Sequence, residues 1–295
     1  MKKIFIYSFC ALFLVSCGNQ ENADTVGFST PLTVGSVSIS TPHTKATTTQ
    51  TSGSIGVYCQ ALNGYTAQNN VQYTYSGGIW SKVSSDIILR TAGATLRACY
   101  PYDASYTTPS AIPLTSQLYT AAKDLCYSSA VTASFASPVA AFTGMSRAYA
   151  RVTFNITHSA TYPGNCNITG LSIANAGIKT ASTLDITSGT YATGTAGIFS
   201  CNPGITIASG ATSAIDLLMV PVTTAMSGSL ALTFIVDGST MPASLVLSTY
   251  GLTTLDPGKQ YVINLTVRES TLAVTTVNVT DWADASTNAG TIYKQ

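Results

Sequence analysis

The sequence consists largely of short runs in which apolar and polar residues alternate, separated by turn signals. The alternation is clearest at residues 151–157 and 261–267. A period of two is typical of a β-strand with one face in a core and the other in water. Turn signals, among them Pro163-Gly164, Pro203-Gly204 and Asp237-Gly238, separate the runs. This pattern predicts an all-β chain.

Twelve strands are predicted, and they are too many for one small sheet. They cover residues 32–40, 54–61, 71–75, 87–89, 95–100, 148–156, 167–174, 215–220, 229–236, 243–247, 260–267 and 272–279. The best helix candidate is a short one at 116–123. A chain of 295 residues is long for one β-sandwich. We therefore expect two β-sandwich domains, at 46–160 and 161–295.

Charge is scarce and balanced. Only 8% of residues are charged, against about 25% in an ordinary soluble domain. The formal net charge is +1, and without Lys2 and Lys3 the chain holds 11 basic and 12 acidic side chains. There is no basic patch, so nucleic acid is not an expected partner.

The N-terminus resembles a bacterial lipoprotein signal. Lys2 and Lys3 precede an apolar run at 4–15 that is too short to span a bilayer, and Ser16, Cys17 and Gly18 follow it. A small residue before a cysteine at this point resembles a lipobox, which implies removal of residues 1–16 and acylation of Cys17. The covalent lipid would be the only non-protein group, and it would anchor the chain to a membrane. The alternative is an ordinary secretory signal that contains a cysteine.

Five cysteines remain after Cys10 and Cys17: Cys59, Cys99, Cys126, Cys166 and Cys201. If this chain lies in an oxidising compartment, an odd number of cysteines leaves at least one of them outside any disulfide. No Cys-x-x-Cys pair occurs, which disfavours a zinc or redox site. Cys166 and Cys201 could form a disulfide, but the sequence leaves the connectivity open, and several of the cysteines could instead be small buried residues.

The residue types needed for catalysis do not form a recognisable set. His43 lies in a polar segment, and His158 follows a predicted strand, where a turn residue is expected rather than a base. Hydrolase, metalloprotease and nucleotide-binding motifs are absent from the sequence. Asp281 and Asp284 flank Trp282, which suggests a turn with a packed aromatic ring rather than a glycosidase pair. We expect no enzyme, no catalytic residue and no metal site.

Tyrosine is abundant, with 16 residues. The clustered aromatic residues are Tyr58, Tyr65, Tyr73, Tyr75, Trp80, Tyr100, Tyr102 and Tyr106. Exposed rings could stack on sugars, but in strands such rings more often pack across neighbouring strands. Packing is the favoured interpretation.

Several segments together resemble the Bacteroidetes fimbrillin family, the subunits of type V pili and related surface lipoproteins. The segments are the lipobox at Cys17, Thr44-Lys45-Ala46, Ala98-Cys-Tyr-Pro-Tyr102, Met145-Ser-Arg-Ala-Tyr-Ala-Arg-Val-Thr-Phe154, Ile168-Thr-Gly-Leu-Ser-Ile173, Leu255-Asp-Pro-Gly-Lys-Gln-Tyr261 and Val277-Asn-Val-Thr-Asp-Trp282. Their order covers nearly the whole chain. Ser146 departs from the family, where histidine is common, and Lys45 departs where arginine is more usual.

The resemblance implies two transthyretin-like or Ig-like β-sandwich domains in tandem and a route of assembly. In that route an Arg- or Lys-specific surface protease cuts after the first strand, and a strand from another subunit fills the groove. Here the cut falls between Lys45 and Ala46, so residues 17–45 form the lipid tether and the removable first strand. The candidate donor residues are Leu272, Val274, Val277 and Val279, with 291–294 as the other candidate segment.

The expected function is that of a structural and adhesive subunit of a cell-surface pilus, exported as an outer-membrane lipoprotein and assembled into the fimbrium after processing. Its expected partners are other pilus subunits, the surface protease, the lipoprotein machinery and the outer membrane. The alternative is a monomeric surface lipoprotein that binds a glycan or host ligand, as a tip adhesin or glycan-binding module. The sequence does not distinguish stalk, tip and anchor subunits.

Overall fold

The structure is a computed structural model that describes residues 28–40, 47–269 and 271–282. Its strands are β1 Thr30–Pro31, β2 Thr33–Ser40, β3 Thr47–Thr49, β4 Ser54–Cys59, β5 Gln68–Ser76, β6 Ile79–Lys82, β7 Ile88–Leu89, β8 Ala94–Tyr100, β9 Ile112–Thr115, β10 Gln117–Leu118, β11 Cys126–Tyr127, β12 Val131–Ala133, β13 Val139–Arg147, β14 Ala150–His158, β15 Asn167–Ala174, β16 Lys179–Asp185, β17 Thr190–Tyr191, β18 Thr195–Ala196, β19 Phe199–Cys201, β20 Ile205–Thr206, β21 Thr212–Met219, β22 Ser229–Val236, β23 Ser239–Val246, β24 Lys259–Arg268 and β25 Thr271–Asp281. The helical elements in these ranges are a 3₁₀ turn at Ala121–Lys123 and the one-turn helix α1 at Leu247–Tyr250. The predicted all-β class is confirmed.

The N-terminal half forms one large sheet in the order β11-β13-β2-β6-β5-β4-β8-β12, with β3 paired to β2. Strand β11 also pairs with β8, so the hydrogen-bonded path returns to its start. The inward side chains of these strands form the first core, with Val37, Ile55, Val57, Leu96 and Phe142 all fully buried. The sheet therefore wraps around its own core.

The C-terminal half contains a sandwich of two sheets, and a smaller sheet in the order β17-β16-β18, with β9 added to β16, lies in addition to them. One sheet of the sandwich has the order β10-β21-β14-β24-β25, and the other has the order β19-β15-β22-β23 with β20 added to β15. Alternate residues of the central strands point into the second core, where Phe154 and Phe234 meet edge to face at 5.6 Å between ring centroids. The apolar rows that predicted the strands are thus the rows that fill this core.

A third cluster of buried residues lies between the two cores. It includes Tyr58 and Cys99 from the first sheet, Leu184 and Leu218 from later strands, and Trp282 after β25. The segment before β11 contributes to it and also pairs with later strands, β9 with β16 and β10 with β21. The two halves are therefore packed against one another through an apolar junction.

The domain limits at 46–160 and 161–295 stay a prediction. The strand pairing places β14 between β21 and β24, within the second sandwich. Its inward residues Val152, Phe154 and Ile156 belong to the second core. The buried residues of β13 thus belong to the first core, and those of the next strand, β14, belong to the second.

Two local expectations were wrong. The helix expected at 116–123 is strand β10 followed by the 3₁₀ turn, because Gln117 and Leu118 pair with the edge of β21. The strand expected at 243–247 begins earlier, at Ser239, and its last residue starts α1. Gly251 ends that helix in the left-handed conformation, at φ 62°.

Within the described ranges, no helix combines the length and the apolar character needed to cross a bilayer.

Candidate functional site

Strand β2 lies inside the first sheet rather than at its edge. It runs parallel to β13 on one side, with Val34 opposite Ala140 and Val37 opposite Phe142. On the other side it meets β6 through the pair Val34–Trp80. Without β2, the path from β13 to β6 would be interrupted.

The apolar side of β2 is part of the first core. Leu32, directly before β2, and Val34, Val37 and Ile39 within it are 4%, 3%, 0% and 6% exposed, respectively. Burying an aliphatic side chain of this size stabilises a fold by about 1.5–3 kcal/mol, so the four together contribute about 6–12 kcal/mol. That sum is comparable with the whole stability of a typical domain, about 5–15 kcal/mol. The space that β2 fills is therefore a deep apolar groove.

Non-covalent contacts hold the segments on either side of β2. On its N-terminal side, β1 pairs with β7, and the Phe28 and Phe135 rings lie 5.2 Å apart. On its C-terminal side, Ser38, Ile39 and Ser40 pair with β3, whose first residue is Thr47. The expected processing residues Lys45 and Ala46 lie between β2 and β3, outside the described residues, as does the expected lipid site Cys17. A cut after Lys45 would leave β2 attached to the remaining chain by non-covalent contacts.

The donor residues expected near the C-terminus lie on β25. This strand pairs antiparallel with β24 along its whole length, and its other edge has no strand partner in the described ranges. Leu272 is buried in the second core, Val274 and Val277 are half-buried, and Val279 is 46% exposed. The apolar row of β25 is thus only partly covered where it lies. Residues 291–294, the other expected segment, are outside the described residues.

The end of β25 is held at the junction between the halves. Trp282 is fully buried, and the guanidinium carbon of Arg147 lies 4.3 Å from its ring centroid. Arg147 is the last residue of β13 and forms a buried ion pair with Asp124, with side-chain exposures of 2% and 8%. Tyr119 meets the indole edge to face at 6.0 Å. The end of β13, the strand next to β2, is therefore in direct contact with Trp282, the residue that follows β25.

The histidine singled out from the sequence has a structural position. His158 is the last residue of β14, not a turn residue, and is 3% exposed. Its Nδ1 lies 2.7 Å from the carbonyl oxygen of Ile207, and its Nε2 lies 3.3 Å from that of Tyr162. Both ring nitrogens thus face backbone carbonyls. His43 and Asp284 lie outside the described residues, and Asp281 is paired with Lys259.

The cysteines are mostly buried thiols. Cys59, Cys99 and Cys166 are buried and Cys201 is half-buried, and all four are free thiols. Burial raises the pKa of Cys166 and of Cys201 to about 11, and that of Cys99 to about 12. Raised pKa values keep these thiols protonated near neutral pH, so none of the four is an activated nucleophile. Cys126 is buried and its Sγ lies 3.7 Å from the carbonyl oxygen of Asp124.

The aromatic clusters are packing groups. Five of their rings are less than 9% exposed, and Tyr75, Tyr100 and Tyr102 are half-buried. Tyr75 packs edge to face on Trp80 at 5.2 Å. Among the residues that the structure describes, His, Cys, Asp and Glu side chains form no group suited to a metal ion. The most distinctive feature of this molecule is therefore the buried strand next to the expected cut, not a pocket with reactive groups.

Several known proteins share the fold of this chain. A search of curated proteins gave no match. Solved structures do match: a proposed cell adhesion protein from Bacteroides uniformis has 20% identity and a TM-score of 0.60, covering 84% of this chain and 99% of its own. One from Bacteroides ovatus has 16% identity and a TM-score of 0.58, covering 87% and 99%. One from Bacteroides fragilis has 13% identity and a TM-score of 0.50, covering 88% and 97%. At these identities the structures establish a shared fold.

The family follows from the sequence match. The model of the fimbrillin-like family matches residues 44–282, which is most of the chain. The matched region begins just after β2 and ends at the buried Trp282. The resemblance found in the sequence is thereby confirmed, and the chain belongs to the fimbrillin-like family.

Proposed function

We propose that this chain is a structural and adhesive subunit of a cell-surface pilus. In this proposal it is exported as a lipoprotein, cut near Lys45, and joined to the next subunit by a donated β-strand. Membership of the fimbrillin-like family supports a pilus or adhesion subunit. It also favours a structural role over an enzymatic one. The partners are then other pilus subunits, with the Arg- or Lys-specific protease and the lipoprotein machinery acting during maturation.

One observation carries the proposal: β2 is buried in the sheet, yet a single cut between β2 and β3 would leave it held by non-covalent contacts. An exposed apolar groove lined by unpaired strand edges binds another strand strongly, through main-chain hydrogen bonds and side-chain pockets. Repeating a head-to-tail contact that does not close on itself produces a filament. The cut therefore allows β2 to leave, and the loss of β2 changes a stable monomer into an acceptor.

Limited trypsin digestion of the lipid-free chain, residues 18–295, tests this maturation. We expect one early cut after Lys45, a resistant body from Ala46 onward, and a ladder on an unboiled gel. The matched control is Lys45→Gln, which should resist the early cut and form no ladder. If Lys45 resists while Arg90 is cut, this form of the maturation is wrong.

The lipid anchor has its own test. Cells expressing the full chain are fed an alkyne-labelled palmitate, and label on the protein is read after purification. Label is expected on the wild-type chain and not on Cys17→Ala. Equal labelling of both would refute acylation at Cys17 without affecting the strand proposal.

The second proposal is a monomeric surface lipoprotein that binds a glycan or host ligand. A surface depression of about 440 Å³, with Lys179, Tyr191, Thr193 and Thr223 in its lining, supplies polar groups for such a ligand. However, the Tyr191 hydroxyl already donates to the carbonyl oxygen of Ala148 at 3.0 Å. A cut after Lys45 with no association, together with binding on a glycan array, would favour this alternative.

A further inference from the structure

An exposed apolar surface lies at the end of the first sheet from which the chain enters β2. We call it the terminal patch, and its members are Phe28, Pro31, Ile88, Phe135 and Val139. Single exposed apolar residues are common on proteins, whereas a contiguous group of them marks a contact surface. The contacts of these five residues show that they form such a group.

Strand pairing brings the aliphatic members of the patch together on the outer face of the sheet. Pro31 lies opposite Ile88 in the β1–β7 pair. Val139 lies opposite Thr33 in the β2–β13 pair. Leu32 points into the first core, so Pro31 and Thr33 on either side of it point outward. Because paired residues project from the same face of a sheet, Ile88 and Val139 point outward with them.

The two phenylalanine rings extend the patch beyond the start of β1. The ring centroids of Phe28 and Phe135 are 5.2 Å apart. The backbone N–H of Phe135 donates to the carbonyl oxygen of Arg90, 2.8 Å away, so the ring pair lies beside the end of β7. The segments that form the patch are 28–33, 87–90 and 134–139, and Arg90 is their one charged residue. The patch is therefore apolar, with an exposed cation at its rim.

The proposed cut after Lys45 would divide the patch into two parts. Phe28 and Pro31 precede the cut and would leave with β2, whereas the other three members belong to the remaining body. The complete patch therefore exists only in the uncut precursor. A partner that needs the whole patch must act before the cut, which disfavours a neighbouring subunit of the assembled pilus.

The position of the expected lipid favours the membrane as that partner. Cys17 lies eleven residues before Phe28. At about 3.3–3.6 Å per residue, Phe28 is never more than about 40 Å from a lipid on Cys17, whatever conformation residues 18–27 adopt. Those ten residues include only Ala23 and Val26 as apolar side chains, so they are poor cover for the patch. An acylated chain would thus hold its exposed apolar end close to the bilayer surface.

We propose that the terminal patch rests on the lipid bilayer while the precursor is anchored, with the rings of Phe28 and Phe135 inserted at the level of the headgroups. This inference rests on the proposed acylation of Cys17, and it adds a second, reversible contact that orients the molecule. The strength of such a contact increases with the apolar area that enters the interface, and a basic residue beside it favours anionic lipids. Removal of β2 takes Phe28 and Pro31 away, so it weakens the contact when the subunit leaves the membrane.

The test attaches the chain to the bilayer chemically, so it does not depend on acylation in cells. The 17–295 chain is coupled through Cys17 to a maleimide lipid in vesicles of phosphatidylcholine and phosphatidylglycerol. A tryptophan is introduced by Phe135→Trp, and quenching of its fluorescence by lipids with brominated acyl chains is measured. The matched control is Ile198→Trp, because Ile198 is 65% exposed but lies in the C-terminal half. The native Trp80 and Trp282 are 6% and 0% exposed and give the same background in both variants.

We expect bromine quenching of Phe135→Trp and none of Ile198→Trp. Adding Phe28→Ser to Phe135→Trp should lower the ratio of docked to undocked chains about tenfold, because most of one phenyl ring no longer enters the interface. Val139→Ser should lower the same ratio by a smaller factor. Both substitutions replace exposed side chains, so the fold should be unaffected.

Three results would overturn the inference. One is equal quenching of the two reporters, or none of Phe135→Trp. Another is quenching that Phe28→Ser and Val139→Ser leave unchanged, since the tether alone would then bring the reporter near the lipid. The third is a dimer of the uncoupled chain that Phe135→Ser dissociates, since a second copy would then cover the patch.

The vesicle test and the palmitate label separate this inference from the proposed function. No label on the wild-type chain in cells would refute the anchor whatever the vesicles show. No quenching of Phe135→Trp would refute the membrane contact and leave the anchor and the strand exchange intact.

Discussion

The buried ion pair between Arg147 and Asp124 gives the sharpest stability prediction. Both side chains are almost inaccessible, at 2% and 8% exposed, and the Arg147 guanidinium also lies against the Trp282 ring. Asp124→Asn removes the negative charge and keeps the shape of the side chain. Breaking one side of a buried pair costs about 3–5 kcal/mol, because the remaining charge stays away from water.

The matched control is the surface pair Lys82–Asp86, whose side chains are 47% and 21% exposed. Surface pairs contribute about 0.2–1 kcal/mol. For a chain of this size, 1 kcal/mol corresponds to about 2–4 °C in the melting temperature. We therefore expect Asp124→Asn to lower the melting temperature by about 6–20 °C and Asp86→Asn by less than about 4 °C.

Calorimetry of the two variants and wild type measures these shifts. A double variant, Asp124→Asn with Arg147→Met, should recover part of the loss, because it removes the buried cation as well as its partner. Equal small shifts for Asp124→Asn and Asp86→Asn would refute the reasoning. So would a double variant that is as unstable as the sum of its two single changes.

Three further predictions follow from single residues. Hydrogen bonds from the Ser105 backbone and hydroxyl, with a smaller effect of Lys123, lower the pKa of Asp103 to about 2. The Asp103 carboxylate therefore stabilises the fold above about pH 4, and this stabilisation is lost as the pH falls towards 2. The urea unfolding midpoints of wild type and Asp103→Asn should differ at neutral pH and converge near pH 2. Burial raises the pKa of Cys201 to about 11, so at pH 8 its labelling by a disulfide reagent should be much slower in the folded chain than in urea. Gly251→Ala forces a side chain into the left-handed region at φ 62° and should cost about 1 kcal/mol in urea unfolding, whereas Gly197→Ala should be nearly neutral.

The sequence predicted twelve of the strands and missed shorter or less regular ones, among them β13. Strand β13 was not expected, because its apolar residues Val139, Ala140, Ala141 and Phe142 are consecutive. A bulge near Gly144 then shifts Met145 back towards the core. Such a strand has no readable period, since both its faces are partly apolar and its spacing changes midway. The wall of the proposed groove was therefore invisible in the sequence, although β2 itself was correctly predicted.

The junction was equally beyond sequence reasoning. Asp281 and Asp284, on either side of Trp282, suggested a packed aromatic ring, and the ring is indeed fully buried. Its contact with Arg147 links residues that lie far apart along the chain, and Arg147 lies just before the strand predicted at 148–156, where no pattern in the sequence marks it as buried. Only the packing of the two halves makes a buried guanidinium tolerable there, because it brings a carboxylate and an indole face to the same point.

The parallel pairing of β2 with β13 has a consequence for any filament built through this groove. A donor that takes over the hydrogen bonds of β2 must run in the same direction as β13, since the reversed strand would meet a different ladder. Every junction then has the same sense, and all subunits point one way. The two ends of such a fibre would be chemically different: one would display an empty acceptor and the other an unused donor. Growth and capping at the two ends would consequently require different molecules.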